Sequence, residues 1–308
     1  MNRFIRLRLL AMILCLSFLL IFISGCGSSS QKKDEPPVYS PLQVLVPEAT
    51  GKETLGSSPM ILDVSNISQG YFIAQSDSSD LTCSLQIISP SGVLYSYFIA
   101  PGESATVTFT EGSGDYTITG YQQVQGDQYA ALYSETVTVQ LENDFLPFLY
   151  PNQYVNFTPD SKTSQLALSL IDEDTVDVDA LQQIYDYVVS NLTYDYEKAD
   201  TVTTGYLPDV DETLKTGTGI CFDYAALTTA MLRSCDIPCK LQIGYAGDIK
   251  HAWIDVYIRS KGWVNQAVSF KGDTWTLMDP TFDSNSDDKE AIQDYIGDES
   301  NYTVQFTR

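Results

Sequence analysis

The stretch Lys215-Thr-Gly-Thr-Gly-Ile-Cys-Phe-Asp-Tyr-Ala-Ala226 decides how this chain is read. Gly217 and Gly219 suit a tight turn. The run that follows, to about Arg233, places Ala225, Ala226, Leu227, Ala230, Met231 and Leu232 on most faces of a helix, which predicts a buried central helix closely packed through its small residues. Cys221 then falls at or near the first turn. Unpaired N–H groups and the helix dipole place partial positive charge beside its sulfur and favour the thiolate. A thiolate nucleophile needs a proton shuttle, and the sequence holds a single histidine, His251. Imidazole chemistry must use that residue, and a metal site built on several imidazoles is excluded.

Moving outward, His251 begins His251-Ala-Trp-Ile-Asp-Val-Tyr-Ile258. With period two, Ala252, Ile254, Val256 and Ile258 form a core face, and His251, Trp253, Asp255 and Tyr257 a polar side that points toward a cleft. A further run, Trp275-Thr-Leu-Met-Asp-Pro-Thr281, ends in Asp279 just before a strand-stopping proline. A carboxylate there could accept from the second ring nitrogen and fix the tautomer. Upstream, Val178, Leu181, Ile184, Tyr185, Val188 and Leu192 recur at helical spacing and run into Tyr194-Asp-Tyr196.

Gly219-Ile-Cys221-Phe-Asp-Tyr-Ala, His251-Ala-Trp253 and Asp279-Pro-Thr, in this order, resemble the transglutaminase-like superfamily across roughly Leu166 to Phe282. Each motif alone is weak; three in register, using the only histidine, are specific. Arg233-Ser-Cys-Asp-Ile-Pro-Cys239 is similar to the family's turn between catalytic helix and sheet, with Asp236 where a glycine is expected. The resemblance implies an α+β papain-like fold and a Cys221–His251–Asp279 triad. Acyl transfer through a thioester follows as the expected chemistry. The Cys221 N–H would contribute to an oxyanion hole, and the family-like segment makes Tyr194 a candidate second donor, with aromatic packing as its alternative role. Members cross-link, hydrolyse peptides or amides, or have lost activity. The expected function is thus a cysteine protease or amidase, somewhat ahead of a transglutaminase, acting on a protein or peptide substrate without a cofactor. The alternative is an inactive binding or scaffold protein.

The N-terminus reads as an address. Basic Met1-Asn-Arg-Phe-Ile-Arg-Leu-Arg8 precedes an apolar run from Leu9 to Ile23, too short for the roughly 20 residues of a membrane span. It ends in Ile23-Ser-Gly-Cys26, which resembles a bacterial lipoprotein processing site, with Cys26 as the lipidated residue. The expected organisation is a signal peptide and lipobox over 1–26, a flexible tether over 27–54 rich in Pro, Ser and charge, a β domain over 55–142 and a transglutaminase-like domain over 143–308. The expected location is the outer face of a bacterial cell membrane, held by lipid, with cell-envelope protein or wall peptide within reach. The formal charge of −23 makes a nucleic-acid partner unfavourable, and 44% apolar residues argue against disorder.

Of six cysteines, Cys83, Cys221, Cys235 and Cys239 lie beyond the processing site. Cys83 shares a strand face with Leu85 and Ile87 and is expected to be a buried thiol. Cys235 and Cys239 read either as a local disulfide or as two packed thiols. Between about Pro59 and Leu141, six or seven alternating runs predict an antiparallel sandwich. Asp283-Ser-Asn-Ser-Asp-Asp288 resembles a calcium loop but lacks the required glycine, so it reads as a solvated acidic loop. Ala291 to Tyr295 reads as a short helix and Tyr302 to Phe306 as a strand.

Overall fold

The computed structural model describes residues 33–172, 175–265, 268–271, 274–277 and 302–308. All lie in one compact unit, Lys32–Arg308. The alternating runs form two antiparallel four-stranded sheets. One contains β1 (Thr54–Ser57), β2 (Met60–Asp63), β3 (Tyr71–Ser76) and β6 (Ser104–Thr108), in the order β1-β2-β3-β6. The other contains β4 (Cys83–Ile88), β5 (Leu94–Ile99), β7 (Gly114–Gln125) and β8 (Gln128–Val139), in the order β5-β4-β7-β8. Alternation sends Leu62, Phe72 and Ala74 from the first sheet into one apolar cluster with Leu85, Tyr97 and Ile118 from the second. Cys83 is fully buried in that cluster.

Beyond these sheets come α1 (Lys162–Leu170), α2 (Asp177–Asn191), α3 (Tyr196–Thr201), α4 (Val210–Thr216) and α5 (Cys221–Ser234). The 3.6 period of α2 buries Ala180, Leu181, Ile184, Tyr185 and Val188. α5 buries every residue from Asp223 to Ser234, as its apolar circumference predicts. It packs on an antiparallel sheet ordered β13-β12-β11-β16, from β11 (Cys239–Ala246), β12 (Ile249–Ile258), β13 (Gly262–Val264) and β16 (Tyr302–Thr307). β9 (Thr193–Tyr194) pairs in parallel with β10 (Thr218–Gly219), and β14 (Val268–Lys271) with β15 (Thr274–Leu277) as an antiparallel hairpin.

The C-terminal strand joins the two regions. Arg308, 4% exposed, donates to the Tyr97 hydroxyl at 2.6 Å, and its guanidinium lies 4.1 Å from the Tyr154 ring centre and 4.7 Å from that of Tyr95. The far end of α5 is fixed to the same strand. Fully buried Arg233 donates to the main-chain oxygens of Cys239, Tyr150 and Arg308 at 2.8–3.0 Å. Burial lowers its pKa to about 10.

Two expectations change, and one open alternative is decided. Part of the stretch read as a tether is packed: Val44 and Leu45 are buried in two core clusters, and the Glu35 carbonyl accepts from Asn143 Nδ2 at 2.7 Å. Polar composition hid this, because a few apolar residues suffice to hold an extended strap. Cys235 and Cys239 are free, buried thiols. The second face of β12 is buried rather than polar: Trp253 is 1% exposed, and Asp255 accepts from Gln242 Nε2 at 2.6 Å.

Candidate active site

The turn before α5 is built as its glycines require. Gly217 closes α4 with φ 63, a left-handed cap, and its N–H donates to the Thr213 carbonyl. A Cβ on Gly219 would come within 2.7 Å of Asp223 Cβ. Ile220 is the N-cap, so half-buried Cys221 is the first helical residue. An isoleucine offers no capping oxygen. Asp223 takes over, reaching back from the third helical position to accept from the Ile220 N–H at 2.8 Å, which is half of a capping box.

Asp223 is also the centre of a buried polar cluster. Lys198 Nζ donates to its Oδ2 at 2.7 Å, and the Tyr206 hydroxyl donates to its Oδ1 at 2.5 Å. Lys198 Nζ also reaches the Tyr206 hydroxyl at 2.7 Å, so the three groups close a ring. Burial, reinforced by the Asp223 hydrogen bond, pushes the Tyr206 phenol up to about 12. Burial works against the Lys198 charge, but hydrogen bonds to Asp223 and Tyr206 prevail and raise its affinity for the proton. Lys198 and Tyr206 lie 25 and 17 residues from Asp223, on α3 and the loop after it. No periodicity links them: Asp223 falls within the motif around Cys221, but nothing in the sequence marks Lys198 or Tyr206 as its partners.

Tyr194 stands beside this turn. β9 pairs Tyr194 with Gly219, and the Thr193 and Asp195 amides donate to the Gly217 and Gly219 carbonyls, each at 2.9 Å. The Tyr194 ring packs on Tyr196 at 4.9 Å between centres. Asp195 caps α3 by accepting from the Lys198 N–H at 2.9 Å, so this segment also positions the helix that supplies Lys198.

His251 lies near the start of β12, 6% exposed, after the exposed residues Ile249 and Lys250. Its ring lies 6.3 Å from Trp253, nearly parallel at 17°, and 6.5 Å from Tyr302. Ala252, Ile254, Val256 and Ile258 join the core cluster with α5. His251 and Trp253 therefore alternate onto the other face. Gly244 opposes His251 across β11–β12, and β11 shifts register against β16 at Ile243/Gly244. A Cβ on Gly244 would strike the Thr303 carbonyl, so its lack of a side chain admits this irregularity beside the histidine. The backbone of β15 realises the strand expected before Asp279; Asp279 itself and the acidic stretch 283–288 lie outside the described residues. No group of three metal-ligating side chains occurs among the described residues.

Residues 164–280 match the model of the transglutaminase-like superfamily. The matched segment contains Cys221, His251 and Asp279. No curated protein matches the sequence. Among solved structures, the chain is similar to a protein from Cytophaga hutchinsonii provisionally named a cysteine protease, at 17% identity and TM-score 0.37, over 83% of this chain and 84% of that one. It is also similar to a provisionally named protease from Parabacteroides distasonis, at 15% identity and TM-score 0.29, over 61% and 38% of the respective chains. A third likeness is to the red sea bream transglutaminase, at 13% identity and TM-score 0.27, over 68% and 48%. The chain thus spans less than half the length of the last two.

Proposed function

We propose that this protein is a thiol acyltransferase or hydrolase acting on peptide or glutamine-type amides. The observation that carries the proposal is Cys221 at the first residue of a buried helix packed on the strand of the only histidine, within the segment matching the family. Cys221 sulfur bonds to the carbonyl carbon, the C–N bond breaks, and His251 gives its proton to the departing amine. His251 then takes a proton from water or a lysine-type amine as that nucleophile attacks the thioester. An acid or a new amide leaves and the thiol is restored. Asp279 holds the imidazole tautomer; the Cys221 N–H and Tyr194 serve the oxyanion. Hydrolysis is favoured over cross-linking because water outcompetes amines wherever it is not excluded.

The two-sheet region is proposed to act as a sandwich-shaped platform. Cys26 is proposed as the lipid anchor that keeps the unit on the outer membrane face near envelope substrates. An open cleft of about 710 Å³ gives the platform a second use. One wall is Leu207 to Asp211, which follows Tyr206 directly, and the other includes Phe98 and Ser104 from the sheets, so a peptide could be gripped between the regions. The test incubates the protein with a glutamine-containing peptide and a labelled amine. Chain cleavage or ammonia release without incorporation is the expected result, and it must vanish in Cys221→Ala. Turnover retained by that variant would overturn the nucleophile assignment. No turnover by either protein would favour the scaffold alternative.

A further inference from the structure

The free edge of β6 opens into the cleft between the sheets and the helices. β6 is the last strand of its sheet and pairs with β3 on one side. The Phe109 amide donates to the Gly70 carbonyl and the Ser76 amide to the Glu103 carbonyl, so odd-numbered residues bond inward to β3. Ser104, Thr106 and Thr108 therefore turn their main-chain N–H and C=O groups to the free edge. Gln153 already uses this edge. Its amide donates to the Thr106 carbonyl at 3.0 Å, and its Nε2 donates to the Phe98 carbonyl of β5 at 2.6 Å. Ser104 continues the row past Gln153, on the wall of the open cleft of about 710 Å³. That volume lies in the range of ligand sites.

The lining decides what kind of segment fits. Glu103 on the sheet wall and Asp209 on the helical wall are exposed carboxylates, and no Lys or Arg lines the cleft among the described residues. Asp211 adds a third carboxylate, but its oxygens already accept from the Lys162 and Thr163 amides and the Thr163 hydroxyl at 2.8–3.0 Å. The Lys162 ammonium is turned to Gln165 Oε1 at 3.1 Å. Phe98, 48% exposed, and Leu207, 38% exposed, supply apolar surface on the two walls. We propose that this cleft docks an extended basic peptide segment, which adds to the β6 edge at Ser104 and sets a cationic side chain against Glu103 and Asp209. Alternation along the segment turns successive side chains to the carboxylates and to the apolar surface. That the segment belongs to a substrate rests on the reading of Cys221 as the reactive thiol; the docking does not.

The test uses the full chain carrying Cys221→Ala, which prevents turnover. Fluorescence anisotropy at low salt measures binding of a short labelled peptide of alternating lysine and valine. The same peptide with glutamate in place of lysine should bind at least about tenfold more weakly. Glu103→Gln combined with Asp209→Asn should weaken the lysine peptide about fivefold, the scale of two exposed ion pairs. Asparagine caps a helix as well as aspartate does, so α4 keeps its start. Ser104→Pro removes an N–H that β3 does not use and should weaken binding about fivefold, the scale of one main-chain hydrogen bond. If Ser104→Pro fails to fold, the lysine peptide N-methylated at its amides reads the same pairing and should lose affinity likewise. Equal binding of the lysine and glutamate peptides, or full affinity in the carboxylate double variant, overturns the proposal. Full affinity of Ser104→Pro or of the N-methylated peptide overturns it as well, as does a stable dimer whose second copy excludes the peptide. Lysine-peptide binding beside absent turnover in the wild type leaves the docking standing and removes the enzyme reading. Turnover without such binding does the opposite.

Discussion

The two ends of α5 both bury a charge, and they satisfy it in opposite ways. At the C-terminal end, Arg233 has no Asp or Glu partner and is held by the main-chain oxygens of Cys239, Tyr150 and Arg308. At the N-terminal end, Asp223 has a full countercharge, a phenol and one backbone amide. Main-chain oxygens from three separate segments make the first end a structural knot. A charge-paired carboxylate reached from a partly exposed lysine holds the second end, which also begins with Cys221.

The sharpest attempt to break this contrast is Arg233→Met, which removes the guanidinium from three main-chain oxygens, of which that of Arg308 keeps the Leu241 N–H. It should cost on the order of 3–5 kcal/mol and lower the thermal midpoint severely. A loss below about 1 kcal/mol would show that the knot is not structural. Asp223→Ala should cost less, about 2 kcal/mol, through a lost cap and an unpaired Lys198, measured by denaturant unfolding.

Asp236, just past the Arg233 end, sharpens the comparison by going the other way. It adopts φ 58, a left-handed conformation that explains why a glycine was expected there. Neither carboxylate oxygen completes a hydrogen bond, although the Tyr39 and Gln43 amides lie close enough to favour its charge. Burial pushes this carboxyl up to about 7, against partial relief from Arg259. A raised folded value means stability fully present below the unfolded value of 3.8 and lost as pH rises toward 7. Asp236→Gly should therefore flatten the decline in midpoint between about pH 4 and 7 and add about 1 kcal/mol at neutral pH. An unchanged pH profile would place the titration elsewhere. The smallest effect belongs to Tyr206→Phe. Its phenol, raised to about 12, keeps its contribution below pH 10 and loses it as pH rises through 12, so the variant should shed that alkaline loss in a pH-dependent melt.

What the sequence disclosed follows the same division. The buried helix was legible because Ala225 to Leu232 are apolar on most faces, and Cys221 because glycines precede it. His251 stood out for want of any other histidine. The strand expected over Tyr302 to Phe306 is found at Tyr302–Thr307. The Lys198–Tyr206–Asp223 ring was not legible, because two helices and a loop of unrelated spacing bring it together. Nor was the role of Gly244, whose meaning lies in how closely β16 approaches. The strap around Val44 and Leu45 was misread because its composition is that of a linker, although two buried side chains decide its path.

The central claim is that Cys221 and His251 work as one unit, although the imidazole stands beside Trp253 and Tyr302 near the beginning of its strand. Comparing the Cys221 alkylation rate of wild type with that of His251→Gln at neutral pH tests it most directly. A drop of about tenfold or more, with the thermal midpoint preserved, is the result expected of a thiol that relies on its imidazole. Equal rates in the two proteins would contradict it.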